Sequence, residues 1–160
     1  MNIHRSHEIA QAVRNWLTKD EWLFKTDEEQ GIFTFGISLS KNIRRAEVVV
    51  DVRQNDYLVY GMFPLKADED NPQQMARMAE FMCRANFGLI AGNFELDFTD
   101  GEIRFKYYVD CQSAVPSLDQ VKDSILCTIA MLDRYSEGIL AILFSDMDPE
   151  QAVEQCETME

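Results

Sequence analysis

Histidine, the commonest general acid and base of enzymes, is scarce in this chain. The sequence has two histidines, His4 and His7, and both lie near the start of the first predicted helix. A serine or cysteine nucleophile would therefore depend on one of them for its general base. No cluster of Cys, Asp or Glu joins them at ligand spacing, and a zinc site needs three or four protein ligands. We interpret both as surface histidines and expect no metal ion.

Acidic residues around one predicted hairpin are the other candidates for chemistry, since two carboxylates can act as general acid and general base. These residues are Asp97, Asp100, Glu102 and Asp110. Asp97 and Asp110 fall in an alternating strand pattern, however, and Asp100 is needed in the turn. The chain contains no Walker phosphate loop, no dinucleotide-binding G-x-G-x-x-G and no G-x-S-x-G elbow. We therefore predict no catalytic residues and no cofactor, and a binding protein rather than an enzyme.

The cysteines indicate the cellular compartment. Four are scattered along the chain without a C-x-x-C pair: Cys83, Cys111, Cys127 and Cys156. In a chain of this size the pattern is typical of reduced thiols. No signal peptide or membrane-spanning run is found in the sequence, so we expect a cytoplasmic protein. Cys83 and Cys127 fall on apolar helix faces, where we predict that they pack in the core.

The net charge of −13 restricts the partners that the protein can bind. Nucleic acids and anionic membrane surfaces repel so acidic a protein, and we expect it to bind neither. Two interpretations of the charge stay open: it keeps the protein itself soluble, or it keeps a sticky or basic partner in solution. The length and the 46% hydrophobic content predict a single domain over residues 1–160.

The stretch from Asn71 to Asp110 specifies most of the fold. Asn71 is a good N-cap, Pro72 suits the first helical position, and Gln74 gives a spacing like that of a capping box. Gly88 can adopt the left-handed conformation that ends a helix. Between these ends, five residues at helical spacing predict one apolar face: Met75, Met78, Ala79, Met82 and Cys83.

A β-hairpin follows this helix. The D-G dipeptide at 100–101 is a preferred pair for a two-residue type I′ turn, which would place Asp97 opposite Arg104. Glu95 would then lie opposite Lys106. One face of the hairpin is apolar throughout, and the other pairs acid with base. We interpret the charged side as a face in contact with water, and a site for a charged ligand is the alternative.

Elements on either side of this stretch complete the pattern. Ser6 can cap a first helix, and Ser117 with Gln120 predicts a capping box at the start of the longest helix. Two further hairpins lie between the first two helices, and a short acidic helix begins at Asp148-Pro149. The order is helix, four strands, helix, two strands, helix and short helix. This order indicates an α+β fold with an antiparallel sheet.

The hairpin with strands at 46–53 and 57–63 has apolar residues on both faces. If Val52 lies opposite Val59, four side chains point into the core: Val48, Val50, Val52 and Phe63. The opposite face then carries four others: Val49, Leu58, Tyr60 and Met62. Because an antiparallel sheet normally presents a polar face to water, these four are our candidate protein-interaction residues, and we expect a homodimer or a protein partner on them. A different register, or a local helix that covers them, is the alternative.

The chain resembles the YbjN family of bacterial sensory-transduction regulators in two runs: RANFGLIAGNFELDF from Arg84 to Phe98, and DGEIRFK from Asp100 to Lys106. The order of the elements also matches over nearly the whole chain. This resemblance implies a fold like that of class I type III secretion chaperones, which are small, acidic, dimeric proteins. Those chaperones hold unfolded segments of a client on apolar sheet surfaces. The resemblance implies no catalytic residues.

Three functions fit these observations. The leading one is a non-enzymatic protein-binding module, chaperone-like or regulatory, on an acidic dimeric scaffold. The second is a small-molecule sensor or enzyme with a pocket between the sheet and the long helix. The third is a purely structural subunit of a larger assembly.

Overall fold

The structure, a computed structural model, describes residues 4–40 and 42–158. Its elements in chain order are α1 His7–Lys19, β1 Phe24–Asp27, β2 Ile32–Ile37, β3 Ala46–Val52, β4 Asp56–Met62, α2 Pro72–Phe87, β5 Asn93–Leu96, β6 Ile103–Asp110, α3 Leu118–Phe144 and α4 Pro149–Thr158. The predicted α+β class and the predicted order of elements are confirmed.

The six strands form one antiparallel sheet in the order β1-β2-β3-β4-β6-β5. The helices pack on one face of it, the inner face, which carries the buried valines of β3. Helix α3 crosses β4, where the hydroxyl oxygens of Tyr57 and Ser124 lie 2.9 Å apart. It also reaches the edge strand β5, where the ring centroid of Tyr135 on α3 lies 5.3 Å from that of Phe94 on β5.

Helix α1 packs over β2 through aromatic contacts. It begins as predicted, with Ser6 Oγ accepting a hydrogen bond of 3.2 Å from the amide of Ile9. The ring of Trp16 lies 6.4 Å from that of Trp22, which in turn lies 5.0 Å from Phe35 on β2. The buried stripe of the helix is the predicted one: Ile9, Val13, Trp16 and Leu17.

The helix ends follow the sequence prediction with one exception. Asn71 Oδ1 accepts a hydrogen bond of 3.0 Å from the amide of Gln74. Ser117 and Gln120 make both hydrogen bonds of the capping box at the start of α3. Gly88 does end α2, but with φ −96° and ψ −5°, so the left-handed conformation predicted for it was wrong.

The buried face of α2 is rotated from the predicted one. Cys83 is exposed, so the prediction that it packs in the core was wrong, and Phe81 is fully buried instead. The cause is the close approach of α2 to α3, which brings the rings of Phe81 and Tyr135 to 6.3 Å. Gly138 of α3 permits this approach, since a Cβ on it would lie 2.5 Å from the ring of Phe81.

Both hairpins that were assigned a register differ from the prediction by two residues. Val52 lies opposite Tyr57, and Arg104 lies opposite Glu95 instead of Asp97. Because side chains alternate along a strand, a shift of two residues leaves each side chain on its predicted face. The division of each hairpin into an inner and an opposite face is therefore as predicted.

A longer loop explains the shift in the β5–β6 hairpin. The amide of Gly101 donates to the carbonyl of Asp97 at 2.8 Å, and the amide of Asp97 donates to the carbonyl of Glu102 at 2.9 Å. The carboxylates also accept from the loop, Asp97 from the amide of Thr99 and Asp100 from that of Glu102. With the hydrogen bond between Asp97 and Glu102 as its closing pair, the loop contains four residues, where a type I′ turn would have two.

Candidate protein-binding face of the sheet

The face of the sheet opposite the helices, the outer face, is formed by alternate residues of each strand. One row across it consists of Thr34, Val49, Tyr60 and Lys106, each the cross-strand neighbour of the next. The four residues selected from the sequence lie together at its centre and form the outer patch: Val49, Leu58, Tyr60 and Met62. The helices within residues 4–40 and 42–158 lie on the inner face, so none of them covers this patch.

The outer patch is partly accessible to solvent. Leu58 is 8% exposed between its cross-strand neighbours Asp51 and Tyr108, and the other three patch residues are half-buried. Tyr108 is 53% exposed and extends the patch onto β6. Sequence reasoning missed Tyr108, although alternation from Arg104 along β6 places it on the outer face.

Cations of β6 border the patch on one side. The guanidinium carbon of Arg104 lies 4.4 Å from the centroid of the Tyr60 ring, a cation–π contact. Glu95 Oε2 accepts a hydrogen bond of 2.7 Å from Arg104 Nε, and its other oxygen accepts one from Lys106 Nζ. Burial raises the pKa of the Glu95 carboxyl, but the hydrogen bonds from Lys106 and Arg104 outweigh it and bring the pKa below its ordinary value. Glu95 therefore stays ionised and holds both cations beside the patch.

Acids of β3 border the patch on the other side. Glu47 is exposed and lies opposite Met62. Asp51 Oδ1 accepts a hydrogen bond of 2.7 Å from a guanidinium nitrogen of Arg5, which also donates to the carbonyl of Val52 at 2.6 Å. Nothing in the local sequence predicts this contact, because 46 residues separate its two partners.

Among the acids considered for chemistry, Asp97, Asp100 and Glu102 belong to one loop, and Asp110 lies at the far end of β6. His4 and His7 are both exposed. Burial raises the pKa of the Cys111 thiol to about 11, and burial also raises that of the half-buried Cys127. Both thiols are therefore protonated at neutral pH. Within residues 4–40 and 42–158, no three side chains of His, Cys, Asp or Glu are grouped so that they could hold a metal ion.

Side chains fill the region between the sheet and α3 around the small residue Gly61. A Cβ on Gly61 of β4 would lie 3.0 Å from Thr128 and 3.3 Å from Leu132 of α3. Tyr57, four residues earlier on the same face of β4, is also buried, and its hydroxyl bonds to Ser124 of α3. Burial raises the pKa of Tyr57, so the phenol stays protonated. The pocket expected here for a small-molecule ligand finds no support in this packing.

Comparison with known proteins agrees with the arrangement of elements. The family model YbjN, described as "Putative bacterial sensory transduction regulator", matches residues 10–141, which include every strand and nearly all of α1 and α3. The chain belongs to the YbjN family. None of the curated proteins matches it. In the part of this YbjN protein that the structure describes, no helix is long and apolar enough to cross a membrane. The likeness to type III secretion chaperones stays a prediction.

Proposed function

We propose that this YbjN-family protein is a non-catalytic protein-binding module, chaperone-like or regulatory, whose partner covers the outer patch. The observation that carries the proposal is the bare apolar centre of the outer face. Three of its four residues keep part of their surface in water although they lie on the two central strands of the sheet. We place this role in the cytoplasm, because the four cysteines are scattered along the sequence without a C-x-x-C pair.

The outer face has the dimensions of an interface. Six strands about 4.8 Å apart, with four to eight residues each at about 3.3 Å per residue, give a face of about 570 Å². This flat area is about seven-tenths of the roughly 800 Å² that each partner buries in a standard complex. Its apolar centre and charged border are also the usual arrangement of such interfaces. Tyr60 suits the centre, since its ring can be buried while its hydroxyl stays hydrated.

A second copy of the chain is the partner that the charges favour. If two outer faces meet about a two-fold axis parallel to β4, strand β3 of each copy lies over β6 of the other. Glu47 then faces Arg104, because both lie in the same cross-strand row as Met62. An axis perpendicular to the strands would bring Glu47 against Asp51 and Lys106 against itself, and repulsion between like charges disfavours it.

The test removes the apolar surface and leaves the sheet intact. Val49 and Tyr60 are direct cross-strand neighbours, so V49K with Y60E exchanges an apolar pair for a pair of opposite charges, which a sheet also favours. A matched control, L126E with F144K, makes similar changes on α3, where Leu126 is 39% and Phe144 is 74% exposed.

Light scattering on the three proteins measures self-association, with circular dichroism to verify folding. We expect the wild type and the control to be dimers and the patch variant to be a folded monomer. If the wild type is monomeric, the same three proteins are compared for capture of a partner. Equal behaviour of the patch variant and the wild type in both assays would contradict the proposal.

A further inference from the structure

The chain is strongly acidic, but three of the described cations that lack an ion-pair partner lie close together. Most described Lys and Arg side chains bond to acids or to carbonyls, as Arg77 does to the carbonyls of Ile142 and Met147. Five make no such side-chain bond to another residue of the described ranges: Lys19, Lys25, Arg44, Arg45 and Lys122. Three of these five, Lys25, Arg44 and Arg45, lie on two adjoining grooves.

The two grooves adjoin each other at the end of the sheet near β1 and β2. The first, of about 780 Å³, is lined by Lys25, Arg45 and apolar side chains of β1 to β4. The second, of about 800 Å³, is lined by Arg44, Arg45 and apolar side chains on the far side of Leu23. Both include Leu23, Gly36 and Arg45. The two together are called the basic groove, defined by Leu23, Lys25, Gly36, Arg44 and Arg45.

The local charge of the basic groove is opposite to that of the protein. Its lining contains three cations and one acid, Glu47, whereas the whole chain carries −13. At physiological ionic strength, charges are screened beyond about 8 Å. A ligand in the groove therefore interacts mainly with the three cations beside it.

The apolar part of the groove is accessible to a ligand. A Cβ on Gly36 would approach only the carbonyl oxygen of Ala46, at 4.0 Å, so the missing side chain leaves the floor of the groove free. Leu23 on the rim is 93% exposed, while Trp22 and Phe24 on either side of it are half-buried. Covering Leu23 would remove apolar surface from water, which favours an apolar ligand.

The separation of the cations indicates what kind of ligand fits. Arg44 lines only the groove on the far side of Leu23, and Lys25 lines only the other. A small amphiphile with one carboxylate would pair with one of these cations and leave the other unused. An extended peptide with carboxylates at intervals pairs with both and lays apolar side chains over Leu23 and Gly36.

We infer that the basic groove binds an extended segment of a partner protein in which apolar and acidic residues alternate. The carboxylates pair with Lys25, Arg44 and Arg45, and the apolar side chains cover the floor at Gly36. This site adjoins the outer patch, since Met62 and the bordering Glu47 line its first groove. Val49 and Tyr60 line neither groove, so the V49K/Y60E variant should keep the peptide-binding activity.

The test uses fluorescence anisotropy with a labelled octapeptide of alternating leucine and glutamate. Two peptides serve as controls, one with lysine for glutamate and one with serine for leucine. R44E with R45E should weaken binding of the acidic peptide at least about tenfold. K19E with K122E is the matched control, because it lowers the net charge by the same four units at the two unpaired cations outside the groove, and it should weaken binding less than about threefold.

A third variant tests the apolar part of the site. G36V places a side chain on the groove floor without a left-handed backbone, and valine favours a strand. We expect it to weaken the acidic peptide about fivefold or more by steric exclusion. If R44E/R45E does not fold, R44Q with R45Q replaces it, with K19Q and K122Q as its control.

Four results would overturn the inference. The first is that the acidic peptide does not bind below about 1 mM, and the second is that the acidic and basic peptides bind equally well. The third is that the groove variant and the control variant lose the same amount of peptide affinity. The fourth is that single-stranded RNA binds more tightly than the peptide. A further outcome is that the wild type binds no peptide but self-associates, and that R44E/R45E abolishes this self-association. The groove would then bind an acidic segment of a second copy of the chain instead.

Discussion

Replacement of Gly101 by alanine should destabilise this protein more than its place in an exposed loop suggests. Gly101 has φ +75°, a conformation that alanine adopts at a cost of about 1–2 kcal/mol. A Cβ there would overlap the carbonyl oxygen of Ala67 and lie 2.8 Å from its carbonyl carbon. Ala67 is buried, 1% exposed, and its amide donates to the Gly101 carbonyl at 2.9 Å. The segment before α2 must therefore move away from the hairpin.

The magnitude follows from these contacts. Relief of the overlap costs about 1–3 kcal/mol if it resembles overpacking in a core, and the Ala67–Gly101 hydrogen bond contributes about 1 kcal/mol. Together with the backbone strain, we expect a loss of about 3–6 kcal/mol in the free energy of unfolding. This is a large part of the 5–15 kcal/mol typical of a domain.

Urea denaturation followed by circular dichroism measures the effect. A loss of this size should lower the midpoint by about 2 M. Gly88→Ala is the control, since Gly88 has φ −96° and nothing lies within 4 Å of its added Cβ. We expect the control to change stability by less than about 1 kcal/mol. A Gly101→Ala midpoint equal to that of the control would refute the argument that the hairpin loop and Ala67 are in close contact.

Three further predictions concern individual side chains. The pKa of Glu95 is lowered, so the stability that its ionised form contributes is complete above its ordinary pKa and is lost as pH falls through the folded-state value. The difference in unfolding free energy between the wild type and Glu95→Gln should therefore shrink between about pH 7 and pH 3. A difference that stays constant over this range would contradict the argument. The side-chain amide of Asn86 donates to the carbonyl of Phe94 and accepts from its amide. Asn86→Leu should therefore expose the edge of β5 and cause association that depends on concentration in sedimentation experiments. A monodisperse variant would show that the edge needs no such cover. Tyr57→Phe removes the buried hydrogen bond to Ser124. The free energy of unfolding, measured with heat or urea, should fall by about 1 kcal/mol. An unchanged value would show that this hydrogen bond contributes nothing to stability.

The faces of the sheet could be predicted from the sequence, but the exact pairing of the strands could not. Alternation alone placed Tyr60 on the outer face, because a strand repeats every two residues. The register depends on loop length, and the side chain of Asp97 made that loop longer by bonding to the amide of Thr99. Turn preference for the D-G dipeptide at 100–101 gives no information on that competing hydrogen bond.

Long-range packing set the features that the sequence did not reveal. Cys83 and Phe81 both lie at helical spacing with other apolar residues, and only the approach of α3 at Gly138 decides which of them is buried. The charged border of the outer patch likewise depends on distant partners such as Arg5 and Asp51. The basic groove forms where β2 and β3 bring Gly36 beside Arg45, positions that no local pattern connects.

Site-specific photo-crosslinking at Tyr60 tests the outer patch most directly. A photoreactive phenylalanine derivative at this position keeps an aromatic ring on the outer face, and the same group at Leu126 on α3 is the control. Irradiation of the purified protein and of cells that produce it should give a crosslinked dimer or a crosslinked partner from position 60 and none from position 126. Adducts from position 126 alone, or from neither position, would contradict the claim that the outer patch binds protein.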